Sequence, residues 1–181
     1  MRRGEISANI ALEIEKEITI SSFQLTNKIR TNKEVASFIQ CLFNRDSPVD
    51  KFSYTNVEIR YFEEIHDAKR FLSQLKAENW KVINYTPSTQ TTLPYEQYNI
   101  QDASDNAHTV IGQEFDNVVA IIDEHFYYKK DKLSTKSYKR RPYYHPTKML
   151  FQIVSRTRIG LQIVIIKNPE ILERCLEILK E

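Results

Sequence analysis

Glycine is scarce: Gly4, Gly112 and Gly160 are the only three in 181 residues. A phosphate loop of the form G-x-x-x-x-G-K-S/T therefore cannot be written anywhere in the chain, nor can the G-x-S-x-G elbow of a serine hydrolase. Cysteine is rarer still. Cys41 and Cys175 fall on the apolar faces of predicted helices, which reads as reduced core thiols in an intracellular protein and not as a disulfide scaffold. No set of Cys and His has metal-ligand spacing. There is no charged-then-apolar leader and no run of 18 apolar residues, so export and membrane spanning are not expected and the expected location is cytoplasmic. Neither sign of charge dominates, with 26 Lys and Arg against 24 Asp and Glu. The total thus names no partner; only its local distribution can.

What remains is an ordinary globular composition, 41% hydrophobic and 28% charged, enough to bury a core as one domain spanning 1–181. Residues 5–17 place Ile6, Ile10 and Ile14 at helical spacing and read as a leading helix over 1–17. Residues 18–25 are β-favouring and predict a first strand. Thr31 and Glu34 form a T-x-x-E capping box ahead of the stripe Val35, Phe38, Ile39, Leu42 and Phe43, so a helix is expected from Thr31. Arg30 then stands just before that helix, where free N–H groups also favour an anion. Strands are expected at 56–62 and 80–87, with a helix between them bearing Ala68, Phe71, Leu72 and Leu75, a rhythm that implies a parallel crossover.

The stretch from His108 to Glu124, HTVIGQEFDNVVAIIDE, sets a polar turn with a glycine against Val118–Ile122, an apolar run suited to a strand buried on both faces. Pro146 is placed to open a helix with Met149, Leu150, Ile153 and Val154 facing inward, and Arg156 and Arg158 at its C-terminal end. Gly160 is expected to break that helix ahead of a second buried strand, 161–166. Asn168 and Pro169 start a last helix whose stripe is Ile171, Leu172, Cys175, Leu176 and Leu179. The whole is an α/β sandwich with a mostly parallel sheet.

Residues 125–148 form a basic, tyrosine-rich excursion with eight Lys or Arg and one acid, Asp131. Tyr127, Tyr128, Tyr138, Tyr143 and Tyr144 interleave with cations that include Lys139, Arg140 and Arg141. Rings for bases beside cations for phosphates are how single strands are gripped, and a solvated loop has the same composition. Asp123 and Glu124 end an apolar strand in the manner of a Walker B segment; without a phosphate loop they read as strand-end acids balancing the basic segment. A metal nuclease using them with Lys129 or Lys130 would need a further carboxylate that the sequence does not single out. Arginines at element ends without a phosphate cradle describe half of a phosphate site, the half that supplies cations to a nucleotide held elsewhere.

These pieces, in this order, resemble the second RecA-like domain of superfamily 1 DNA/RNA helicases, the UvrD-type enzymes and their Schlafen-like relatives, over roughly residues 18–181. LTNKIRT (25–31) looks like motif IV, HTVIGQEFDNV (108–118) like motif V and FQIVSRTRIGLQIVII (151–166) like motif VI. The family's tyrosine before the motif IV arginine is Ile29 here, and its lysine before the motif V glycine is Ile111. The resemblance implies a three-layer RecA-like fold of the P-loop NTPase kind. It implies Arg156 as arginine finger and Arg30 as a second γ-phosphate contact, with Gly112, Glu114 and Arg158 at the ATP. It puts His108, Thr109 and Gln113 on the nucleic-acid track, Gly112 and Gln113 standing where track and nucleotide join. ATP, and the Mg2+ bound with it, would be held by an N-terminal RecA-like domain outside these residues, so the chain alone is expected not to turn over ATP. The partners implied are that domain and single-stranded or duplex nucleic acid, with no membrane. Arg30 and Arg156 are expected to converge at the sheet's carboxyl edge beside Glu114. A non-catalytic strand-binding module using the basic segment is the alternative.

Overall fold

The structure is a computed structural model that describes residues 31–87, 94–100, 105–136 and 144–180. The leading helix and the strand expected over 18–25 lie outside these residues. So do Arg30, Lys139, Arg140, Arg141, Tyr138 and Tyr143.

Helix α1 (Lys33–Phe43) is capped by Asn32, whose Oδ1 accepts from the Val35 N–H at 2.8 Å. Thr31 is therefore not the cap. Glu34, assigned to a capping box, instead accepts from the Ser53 and Thr55 hydroxyls and both nitrogens of Asn56. The start is displaced by one residue because Asn is as good a cap as Thr, and its amide has a second partner across the fold.

Strand β1 (Val57–Phe62) leads into α2 (Ile65–Ala77), which buries Ala68, Leu72 and Leu75. That helix ends because Asn79 takes the left-handed conformation at φ 65, letting Trp80 N–H reach back to the Leu75 carbonyl, a Schellman closure in which Asn replaces glycine. The strand expected over 80–87 is short: β2 is Lys81–Val82 alone. Beyond it Asn84 turns away to pair with Asn106 and to exchange bonds with Ile100. A 3-10 turn, Pro94–Tyr98, follows.

Strand β3 (Phe115–Ile122) runs into a hairpin, β4 (Phe126–Lys129) and β5 (Lys132–Thr135), whose turn residues Lys130 and Asp131 both have positive φ. Residues 126–135 are thus regular structure and not a free excursion. Tyr128 sends its hydroxyl to the Leu42 carbonyl at 2.7 Å under the Arg45 guanidinium. Helix α3 (Pro146–Val154) stops before Ser155, and β6 already begins at Thr157, running to Ile166. Arg158 and Gly160 therefore lie inside a strand; the helix is not broken by glycine. Its last turn closes through Ser155 and Arg156 N–H groups on the Phe151 and Ile153 carbonyls. Helix α4 (Pro169–Lys180) is capped by Asn168, as its sequence suggests.

The main sheet has the order β1-β6-β3-β2 with every neighbour parallel. The connection from β1 to β2 crosses the sheet one way, and that from β3 to β6 returns. Right-handed crossovers then put α2 and α3 on opposite faces. Phe62 meets Phe71 of α2 on one face, while Phe43 of α1 meets Phe151 of α3 on the other. Residues Leu161–Ile166 are all buried, as are Val118–Ile122, because these two strands are inner in the sheet and covered on both faces. Arg174 of α4 is a buried cation that donates to the Cys41 and Arg45 carbonyls at the end of α1. Cys41 and Cys175 are both buried, and neither forms a disulfide. Among the described residues no helix is long and apolar enough to cross a membrane.

Candidate functional site

The turn before β3 is built on one asparagine. Asn106 Oδ1 accepts from the His108 N–H at 2.9 Å and from Thr86 Oγ1 at 3.0 Å, and Thr109 Oγ1 accepts from the Asn106 N–H at 2.8 Å. Ala107 and Val110 are buried and anchor the turn; His108, Thr109, Ile111, Gly112, Gln113 and Glu114 are exposed. Gly112 sits at φ 81 with open space where a Cβ would be. Its requirement is therefore conformational and not steric. Gln113 joins the two ends of the turn: its Nε2 donates to the Thr109 carbonyl at 2.9 Å, and its own carbonyl receives Arg156 Nη1 at 3.3 Å.

Arg156 is half-buried at the step from α3 into β6. Its backbone carbonyl accepts from Phe115 N–H at 2.9 Å, which registers β3 against β6, and its guanidinium also donates to the Gln152 carbonyl and Ser155 Oγ. All three of these acceptors are neutral, and among the described residues Arg156 forms no ion pair with a carboxylate. Arg158 differs. Its Nη1 lies 3.5 Å from Asp116 Oδ1, both side chains 59% exposed, a surface pair worth little. Asn32 completes the group, with its N–H on the Arg158 carbonyl at 3.3 Å and its Nδ2 on the Ile159 carbonyl at 2.7 Å. Lys81 pairs with Asp105 and lies over the Phe115 ring.

The structure thus brings Gln113, Glu114, Arg156, Arg158 and the entry to α1 to one edge of the sheet. That edge is the amino edge, where β3 and β6 begin, and not the carboxyl edge. The reason is simple: both motifs precede their strands, and the strands are parallel. His108 and Thr109 are joined to this group through Gln113 and lie beside Thr86 and Tyr144, the His108 and Tyr144 rings being 4.5 Å apart.

At the carboxyl edge, Asp123 is 1% exposed and already engaged. It accepts from the His125 N–H at 3.0 Å, holds His125 Nδ1 at 2.9 Å, and bonds the Tyr98 hydroxyl. Burial first, then the Asp123 charge, pushes the Tyr98 hydroxyl well above its ordinary range. The hydrogen bond to Asp123 raises the His125 pKa, against an opposing effect of burial. Asn168 Nδ2 pins the carbonyls of Asp123 and Phe126. This acid is spent on holding the β3–β4 turn, which removes the support for a nuclease built on it. Among the described residues no group of His, Cys, Asp and Glu could hold a metal ion.

Sequence reasoning passed over Asn32 and Asn106, and it placed Asp116 in the turn and Tyr144 in the basic segment without their partners, Arg158 and His108. The spacing of Asn106 to His108 and Thr109 carries an Asx-turn signal; the other three are set by contacts distant in sequence. No family model, curated protein or solved structure matches the chain.

Proposed function

We propose that the chain is the C-terminal motor domain of an ATP-dependent DNA/RNA helicase or translocase, a RecA-like lobe that closes on an N-terminal RecA-like domain carrying ATP and its Mg2+. The observation that carries this reading is the guanidinium of Arg156. It is held in place at the amino edge by neutral acceptors alone, so its charge is positioned without being neutralised among the described residues. A cation fixed in that way is suited to charge that develops on a phosphoryl group in transit.

A self-contained nucleotide site on an open α/β sheet lies beyond the carboxyl ends of the strands. Arg156 lies beyond the opposite ends, contrary to the expected carboxyl edge, and on this reading its nucleotide is held by the other domain. In this scheme Arg30, two residues before Asn32, is the second phosphate contact, and Glu114, Gly112 and Arg158 border the nucleotide. His108 and Thr109 contact the strand, and Gln113, bonded to both Thr109 and Arg156, links strand to nucleotide.

The test pairs this chain, in cis or in trans, with a phosphate-loop domain and measures strand-stimulated ATP hydrolysis. Arg156→Ala should lower kcat by about 10³-fold or more, the scale of arginine fingers, and leave ATP affinity nearly unchanged. Lost ATP binding with normal turnover per bound ATP would overturn the assignment.

A second reading, a strand-binding module without catalysis, is favoured by the exposed Lys129, Lys130 and Lys132 around the hairpin tip. Charge reversal at Lys139, Arg140 and Arg141 should then abolish strand binding together with its salt dependence. Unchanged affinity would discard it.

A further inference from the structure

His108 is positioned by its backbone and not by its ring. Its N–H is shared between Asn106 Oδ1 and Thr86 Oγ1, and buried Ala107 and Val110 flank the turn on which it sits. The imidazole is left at the surface. Among the described residues it meets the ring of Tyr144, just ahead of α3, with centroids 4.5 Å apart and planes tilted by 50°. That separation is at the close end of the range for interacting rings. Tyr144 is partly exposed, and Lys148, four residues on, is exposed. In sequence, Tyr144 also ends the run that carries Lys139, Arg140 and Arg141.

From this geometry we infer that Tyr144 and His108 form a two-ring face for an unpaired base of a single nucleic-acid strand, with Tyr144 both offering a stacking surface and holding the imidazole. The inference rests on the reading of His108 as a strand contact and adds a residue from outside that turn. Every base has a π-face, so such a pair binds bases with little regard to sequence, while nearby cations hold the phosphates. The tyrosine hydroxyl is not needed for this; the ring is.

The probe is a pair of fluorescently labelled strands of equal length, one oligothymidylate and one abasic, titrated into the full chain and followed by anisotropy. Both carry the same phosphates, so contacts to the bases separate them, and the Tyr144 variants assign those contacts to the ring. The wild-type chain should prefer the oligothymidylate by about tenfold, within the range of one base on one aromatic residue. Tyr144→Leu should bind the two strands alike, and Tyr144→Phe should restore the preference, with far-UV circular dichroism showing each variant folded. A preference that survives Tyr144→Leu, or that Tyr144→Phe fails to restore, would overturn the inference. Equal binding of both strands by the wild-type chain would overturn it and leave the helicase reading standing, whereas binding of neither would remove the strand role of His108 as well.

Discussion

Asn32 uses its two side-chain atoms for different ends. The oxygen caps α1, and the nitrogen, at 2.7 Å from the Ile159 carbonyl, ties that helix to the start of β6. Replacing a capping asparagine with alanine costs about 1 kcal/mol, and losing a further bond adds about 1 kcal/mol more. Asn32→Ala should therefore lower stability in urea by about 2 kcal/mol. Asn32→Asp keeps the cap and loses the donor, so it should fall between the two; a loss as large as that of alanine would show the cap to be unimportant. His125 carries a pH dependence of known sign. Its pKa is raised in the folded protein by the Asp123 hydrogen bond; the Asp123 and Glu124 charges act in the same direction, and burial and Lys136 oppose them. The folded state therefore holds the proton more tightly. The added stability is complete below the ordinary histidine value of about 6.5 and fades as pH rises through the higher folded value. His125→Gln should flatten that fall, which urea midpoints taken on both sides of neutrality would read; a slope equal to that of the wild type would assign the dependence elsewhere. Neither residue's role was legible in the sequence. Asn32 stands beside a threonine with an equal claim to cap, and Asp123–Glu124 resembles a catalytic strand end until His125 is seen to fold back on it.

β6 shows at the scale of an element what the linear reading recovers and where it stops. Its apolar half, Leu161–Ile166, is plain from composition, as are Val118–Ile122, the stripes of α1 and α2, and the Asn-Pro start of α4. The polar half, Thr157–Gly160, reads as a helix end because Arg158 and Gly160 carry no strand signal. It is a strand because Phe115 and Asn117 pair with it, an interaction 40 or so residues distant in sequence and invisible locally. Gly160 has a definite reason to be there: a Cβ would lie 2.6 Å from Asn117 Oδ1 and 3.3 Å from Trp80 Cη2. Gly160→Ala should then destabilise by about 1–3 kcal/mol, the usual cost of overpacking. Because the closest atom is the end of a side chain, Asn117→Ala in the same chain should recover most of that loss. A double-mutant cycle in urea measures the coupling, and additive losses would mean that Trp80 or the backbone, and not Asn117, limits the space.

Across the whole molecule the two edges of one sheet are finished differently. At the carboxyl edge, Asp123, His125, Tyr98 and Asn168 satisfy one another beside a cleft of about 570 Å³ whose lining mixes Lys136 and Lys167 with Glu124 and Glu170. At the amino edge, Arg156 is fixed with its charge uncompensated among the described residues. The sequence located the motifs of that edge yet assigned them to the other, although residues preceding parallel strands must lie at their amino ends. Trp80, the one tryptophan, reports on this edge, since it borders Gly160 and closes the end of α2. It precedes β2, an outer strand of two residues that would open first if any part of the sheet opened alone. Against that, Val82, Ile83 and Tyr85 are buried in the same core as β3 and β6, and Tyr85 donates its hydroxyl to the Ile121 carbonyl at 2.6 Å. Opening β2 would expose surface shared with the central strands, so the edge and the core should melt together. Trp80 fluorescence and far-UV circular dichroism should give one urea midpoint; an earlier fluorescence transition would mean that the amino edge opens before the rest of the fold.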